Sequence, residues 1–293
     1  MMKRASMKTT VRRARPMPDR FRESPEFQSL LQGESRPSLV RIALEIARDA
    51  YPELDLEHYM RTIEQIANRV RARCDSRSKP RKILGQINWA LFVEDGYEGN
   101  RENYFDPRNS YLNEVIDRKK GIPISLSILY GAVAERLDLA LDGVNLPAHF
   151  MLRLADSSEP LFIDAFHAGE LLDRSGCEHR LTELTHSPVV LSDLRIAPCS
   201  TREIVARLLR NLKAIYLGTH DYLSALAVQR RLAAVALDPL ENRDLGMICL
   251  QVERHGEAID PLQAYLDAAP DADDREAVSG LLETARRVVA RWN

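Results

Sequence analysis

The feature that most constrains this chain is a change of hydrophobic period near its middle. Apolar residues recur at helical spacing from Leu39 to Leu137, alternate from about Val144 to Phe166, and return to helical spacing beyond residue 200. That order specifies an α+β chain, mostly helical, with a small antiparallel sheet set among the helices. Taking Val144–Leu154 and Glu159–Phe166 as successive strands, a turn at 155–158 pairs residues whose numbers sum to 313. Phe150 then faces Ile163 and Leu152 faces Leu161, while His149 lies opposite Asp164 on the other face. Directly opposed Cβ atoms stand about 4.5–5.5 Å apart, within reach of an imidazole–carboxylate hydrogen bond. The pairing depends on the turn, because a one-residue slip separates the two side chains.

The flanking segments are read from their stripes and breakers. Two helices separated by Tyr51-Pro52 span 37–73, with Leu39, Ile42, Ala43 and Ile46 on the first stripe and Tyr59, Ile63, Ile66 and Val70 on the second. Order is expected from about Ser24-Pro25, and a further helix covers about 80–94. Ser110 is placed to cap a short helix through Lys119. Gly121-Ile122-Pro123 then opens an apolar helix over 124–137, with Pro123 where a missing N–H costs nothing.

A histidine oriented by an aspartate is two-thirds of a nucleophilic triad, in which the imidazole deprotonates a nucleophile. The same pair equally serves to satisfy a half-buried histidine. Other chemistries are excluded more directly. The 13 glycines are dispersed and build no phosphate cradle, so no nucleotide cofactor is expected. Aromatics at 6% do not furnish a stacking platform for single-stranded nucleic acid. His58, His179, His186, His220 and His255 are isolated, and His167 is expected on a solvent-exposed turn, so no metal is expected. Cys74, Cys177, Cys199 and Cys249 form no C-x-x-C pair and suit a reducing cytoplasm, where the protein is expected to reside. No run approaches the roughly 20 apolar residues of a membrane span.

Several linked segments carry a family resemblance. They are Asn103-Tyr-Phe-Asp-Pro-Arg-Asn-Ser-Tyr-Leu-Asn113, Arg118-Lys-Lys-Gly-Ile-Pro-Ile-Ser-Leu-Ser127, Gly143-Val-Asn-Leu-Pro-Ala-His-Phe150, Phe162-Ile-Asp-Ala-Phe166 and Gly169-Glu-Leu-Leu172. In that order they closely resemble the bacterial SirB family, which joins a transglutaminase-like, papain-related core to tetratricopeptide repeats. The resemblance covers about residues 26–290. Two positions depart from it: Ala148 stands where glycine is usual before the histidine, and Asp138 where glycine is usual after the core helix.

The resemblance also locates what is missing. Active transglutaminase-like enzymes place a cysteine at the N-terminus of the core helix, where the helix dipole and a nearby imidazole favour the thiolate. Here that place falls on Pro123, which carries no nucleophile. Ser125, two residues on, points about 200° around the helix, and Ser127 shares the face but lies about 6 Å deeper. The resemblance therefore implies a catalytically silent scaffold, with His149 and Asp164 as a remnant pair. The alternative is an amide hydrolase or acyl transferase with a relocated nucleophile, Ser127 or a cysteine brought in by folding.

Residues 196–293 read as helix throughout. Setting Pro270 near position 32 of a repeat puts Leu245-Gly246 at positions seven and eight and Ala258 at twenty, the tetratricopeptide pattern. The chain is thus expected to divide into a basic tail (1–25), a transglutaminase-like domain (26–195) and tetratricopeptide-like repeats (196–293). The formal charge of −2 conceals eight basic residues against Asp19 in 1–22, and twelve acids against three arginines in 238–283. The acidic face is expected toward solvent, open to a basic partner or to the tail. The expected function is non-enzymatic binding of a protein or peptide partner, with a regulatory role. Contact with nucleic acid is expected only weakly, through the tail, and contact with a membrane not at all.

Overall fold

The central helix is apolar on every side, and the rest of the fold follows from burying it. In a computed structural model, which describes residues 24–34, 37–75, 77–155 and 159–291, every residue of this helix except Gly131 and Glu135 is buried over Pro123–Glu135. A helix without a polar face must be covered all round. Among the described residues five α-helices precede it: α1 (Pro25–Gln32), α2 (Leu39–Ala47), α3 (Leu56–Arg71), α4 (Pro80–Asn88) and α5 (Leu112–Arg118). The central helix is α6, and α2, α3, α4 and α5 all pack on it. Ser38 caps α2 and Asp55 caps α3 through side-chain oxygens that accept backbone N–H groups. The basic segment 1–22 lies outside the described residues.

Two helix boundaries differ from expectation. The helix expected over 80–94 changes to a π-turn at Trp89–Glu94, which leaves Trp89 and Val93 exposed while Ala90 and Leu91 stay buried. Ser110 does not cap α5. Asp106 and Pro107 instead nucleate a 3₁₀ turn over Pro107–Asn109 that takes the Ser110 N–H, so the cap position falls to Tyr111.

The sheet has four antiparallel strands in sequence order, β3 (Leu141–Leu146), β4 (His149–Leu154), β5 (Phe162–Asp164) and β6 (Glu170–Leu172). A short parallel pair, β1 (Glu98–Gly99) with β2 (Lys120–Gly121), pins the chain just before α6. The stretch read as one strand over 144–154 is two, reversed at Pro147-Ala148, where Ala148 takes a φ of 55°. The β4–β5 register also differs. Leu152 pairs with Ile163 and Arg153 with Phe162, a sum of 315 rather than 313. Pro160 has no N–H for a ladder, so the second strand starts at Phe162 instead of Glu159 and the connection lengthens. A shift of two leaves every side chain on its expected face.

Both faces of the sheet are covered. Phe150, Leu152 and Ile163 join the core around α6, whereas Val144, Met151 and Phe162 pack with Cys177 and Leu181 of α7 (Arg174–Thr185). Beyond it come α8 (Thr201–Gly218), α9 (Tyr222–Val235), α10 (Pro239–Gln251), α11 (His255–Ala268) and α12 (Arg275–Ala290). The tetratricopeptide positions explain the close α10–α11 packing: Ala258 is fully buried, and a Cβ on Gly246 would collide with Leu262. The acid excess of 238–283 is partly consumed inside this region. Glu241 pairs with Arg210 and Lys213, Asp244 with Lys213, Glu257 with Arg230 and Asp274 with Arg243. An acidic face wholly turned to solvent is therefore not what forms.

Candidate functional site

The site is built on Asp164, the last residue of β5. Its Oδ1 accepts the N–H groups of Phe166 and His167 at 3.2 and 3.3 Å, capping a 3₁₀ turn over Ala165–His167. The turn brings the His167 ring back, with Nδ1 2.8 Å from Oδ2. His149, the first residue of β4, sets Nε2 2.9 Å from Oδ1. Arg180 of α7 donates to Oδ2 at 2.7 Å and to Glu170 at 2.6 Å. Asp164 is 0% and His149 2% exposed. Burial pushes the Asp164 carboxyl up, but hydrogen bonds and charge from His149 and His167 outweigh it and hold the group well below the usual carboxylate range.

The sequence places His149 and Asp164 on one face, and the structure brings them together diagonally, not as the directly opposed pair of the expected register. His167 differs more. It is half-buried and bound to Asp164, not exposed on a turn. The signal for it was local: an aspartate followed three residues later by histidine, at a strand end where the aspartate caps a turn. Arg180 had no such signal, since it reaches the site from a different element.

The 165–167 turn is braced from behind. Gly169 has a φ of 71°, and a Cβ there would collide with the Asn88 side chain. Asn88 donates to Gly169 O at 2.8 Å and accepts from the Tyr130 hydroxyl at 2.8 Å. Outward, Phe166 and His167 border a cleft of about 710 Å³ whose other walls include Glu98–Glu102 and Lys120. A string of rings runs from Phe105, 76% exposed, through Tyr104 to Phe166 and on to His149, with centroid steps of 5.4, 6.1 and 6.2 Å.

At the place where the resemblance puts the nucleophile, Pro123 forms the first position of α6 and is buried. Ser125 serves structure: its hydroxyl accepts from Ile122 N at 3.1 Å and donates to Asn109 O at 2.5 Å. Ser127 is 1% exposed, and its hydroxyl has no hydrogen-bond partner among the described residues. Cys177 is buried with its sulfur 3.6 Å from that of Met151, and burial, with the Asp164 charge adding, pushes its thiol up to about 12. Burial pushes the Cys249 thiol up to about 11 and raises that of Cys199. Alternation along β4 puts His149 on the side of Met151, facing α7, while Phe150 faces the α6 core.

His149, Asp164 and His167 are also the one group of three possible metal ligands found among the described residues, with ligand atoms within 4.8 Å of one another. That convergence was not expected from the sequence. Nε2 of His149 and Nδ1 of His167 already hydrogen-bond to the carboxylate, and Arg180 holds its second oxygen. A metal ion would have to displace those protons beside a guanidinium charge, so the donor set fits a hydrogen-bonded cluster better than a metal centre.

Comparison with known proteins agrees with the architecture. Residues 57–210 match the transglutaminase-like superfamily, and residues 212–283 match the tetratricopeptide repeat. A UPF0162 protein of Xylella fastidiosa is 35% identical over 250 residues, covering 83% of this chain and 88% of that one. F-box only protein 21 of Mus musculus is 30% identical over 205 residues, covering 62% of this chain but 33% of its own length. The crystal structure of menin superposes with a TM-score of 0.45 at 10% identity, over 92% of this chain and 69% of that one, a likeness too low to carry an argument. By both family models and the Xylella relative, the chain belongs to the transglutaminase-like superfamily, within the UPF0162 proteins, and carries a C-terminal tetratricopeptide region.

Proposed function

We propose that this is a transglutaminase-like protein of the SirB type that acts without catalysis, by binding a protein or peptide partner in a regulatory role. In this reading residues 26–195 supply a shaped body, residues 196–293 supply repeats of a kind that holds partners, and the protein works in the cytoplasm without a cofactor. The observation that carries the reading is the pairing of Pro123 at the helix start with the fate of His149. The imidazole is spent on Asp164, and no thiol or hydroxyl makes a hydrogen bond to it among the described residues. Arg180 and His167 saturate the carboxylate as they would in a structural cluster. Among the described residues no helix is long and apolar enough to cross a membrane, which fits a partner met in water.

Incubation with a glutamine-bearing protein and a labelled amine, and separately with peptide amides, tests the absence of catalysis. No amine incorporation and no ammonia release above the rate without protein are expected, before or after alkylation of all accessible thiols. Turnover abolished by His149→Ala or by Ser127→Ala would overturn the reading and establish the relocated-nucleophile enzyme instead.

A further inference from the structure

We propose that a hollow between α6, the sheet and the start of α8, on the opposite side of β4 from the His149 side chain, receives a partner segment in which an apolar side chain is flanked by basic ones. The inference rests on the partner-binding reading above and names where and by what chemistry the partner is held. The hollow has a volume of about 630 Å³, within the roughly 300–1,000 Å³ of typical ligand sites. Its apolar walls come from four elements: Leu39 of α2, Ile128 of α6, Phe150 and Leu152 of β4, and Ile204 of α8.

Two details of α6 mark the hollow as a receiving surface. At Gly131 the helix is bare, and the nearest atom to a Cβ built there is on Leu152, 4.0 Å away. One turn earlier Ser127, also in the lining, buries a hydroxyl that has no partner among the described residues. Buried polar groups are nearly always paired, so an incoming peptide group has a hydrogen bond waiting there.

The charge of the lining selects the ligand. Glu135, Asp138 and Asp142 border the hollow, and among the described residues no lysine, arginine or histidine does. Asp142 is matched by Arg153 at 2.9 Å, whereas Glu135 and Asp138 have no ion pair among the described residues. A hollow with apolar patches in its walls and two carboxylates at its rim without an ion pair among the described residues attracts an apolar group with cationic neighbours and repels an acidic one.

Panning a random twelve-residue peptide library against the full-length protein tests this. Enriched peptides are expected to place Arg or Lys beside Phe, Leu or Trp. Their affinity should fall about tenfold in Gly131→Leu, which fills the hollow from a half-buried position of α6. Asp138→Asn with Glu135→Gln should weaken binding severalfold and flatten its salt dependence. Circular dichroism confirms that Gly131→Leu is folded; should it not be, Ser127→Ala and the charge variants report on the same hollow. Acidic or neutral consensus peptides, or binding indifferent to all these variants, overturn the proposal. Peptides that ignore the hollow but are lost on Leu240→Glu or Met247→Glu, both exposed on α10, would leave partner binding standing and move it to the repeats. No enrichment at all would overturn both.

Discussion

Asp164 organises the site more than either histidine does, because it is the common acceptor. It takes two backbone N–H groups, two imidazoles and a guanidinium with no solvent contact. Replacing it by alanine leaves the two imidazoles and the Phe166 and His167 N–H groups without their acceptor, while Arg180 keeps Glu170, and is expected to cost about 3 kcal/mol or more, read as a lowered urea midpoint. Asp164→Asn keeps the shape and removes the charge, which separates the two contributions. Since the folded carboxyl titrates below its ordinary value, its stabilisation is fully present above the unfolded pKa, near pH 4, and is lost progressively as pH falls from there through the lower folded pKa. The stability gap between the wild type and Asp164→Asn should therefore be wide at pH 6 and narrow below pH 4; a gap independent of pH would show that the carboxylate is not held ionised. The two departures from the glycine pattern of the family meet a different test. Ala148 and Asp138 both have positive φ, 55° and 58°. A left-handed L-residue costs about 1–2 kcal/mol relative to its usual region, and aspartate tolerates that region better than alanine. Ala148→Gly should raise stability by about 1 kcal/mol and Asp138→Gly by less, both read from thermal midpoints.

At the scale of elements, what was legible was decided by how many faces each element buries. The apolar run after Pro123 could only be a buried helix, and α6 is one. The sheet was harder because α6 covers one face and α7 the other. Val144, Leu146, Ala148, Phe150 and Leu152 alternate without a break, yet the chain reverses at Pro147-Ala148 and Met151 is as buried as its neighbours. With both faces apolar, alternation does not reveal a turn, and the proline was the better sign. Pro160 was likewise the sign for the register. The His149–Asp164 contact survives the two-residue error because diagonal side chains on one face still meet. His167 and Arg180 stayed hidden because a short turn and a helix from elsewhere deliver them. The 165–167 turn makes its own prediction. Gly169→Ala combines a positive φ with a collision against Asn88 and is expected to destabilise by about 1–3 kcal/mol. Gly85→Ala, at an exposed position of α4 with open space around its Cβ, should instead stabilise by about 0.5–1 kcal/mol. Equal effects of the two substitutions would remove the case for the brace.

At the scale of the molecule, the question is whether the repeats are a separate domain or part of one folding unit. Their helices share one contiguous apolar core with α1–α6. The strongest polar tie is Arg231 of α9, whose side chain is 1% exposed. It donates to both oxygens of Asp49 at 2.6 and 2.8 Å, reaches Ser24 and Glu45 O at 3.2 and 3.3 Å, and lies 4.9 Å over the Phe27 ring. Arg202 adds bonds to Val235 O and Leu30 O, and the Tyr111 and Tyr216 hydroxyls meet at 2.8 Å. A solenoid of so few repeats cannot bury its stripes alone, so the body serves as its cap. Unfolding should then be one transition. Trp89 reports on the body once the other tryptophan is removed by Trp292→Phe, and far-ultraviolet circular dichroism, dominated by the helices of both parts, should melt with it. Arg231→Met strands the Asp49 carboxylate in the interface and is expected to cost about 3–5 kcal/mol, much of it regained when Asp49→Asn is added, because the unpaired charge causes the loss. With the tie cut, the repeats should melt before the body and the two signals should separate. Two transitions already present in the wild type, or an Arg231→Met variant as stable as the wild type, would mean that the repeats fold alone and the ion pair is incidental. If the single transition holds, a partner gripping the hollow between α6 and α8 binds a unit that unfolds as one. Its binding should then raise the midpoint of the whole molecule, as mass action requires of any ligand that prefers the folded state.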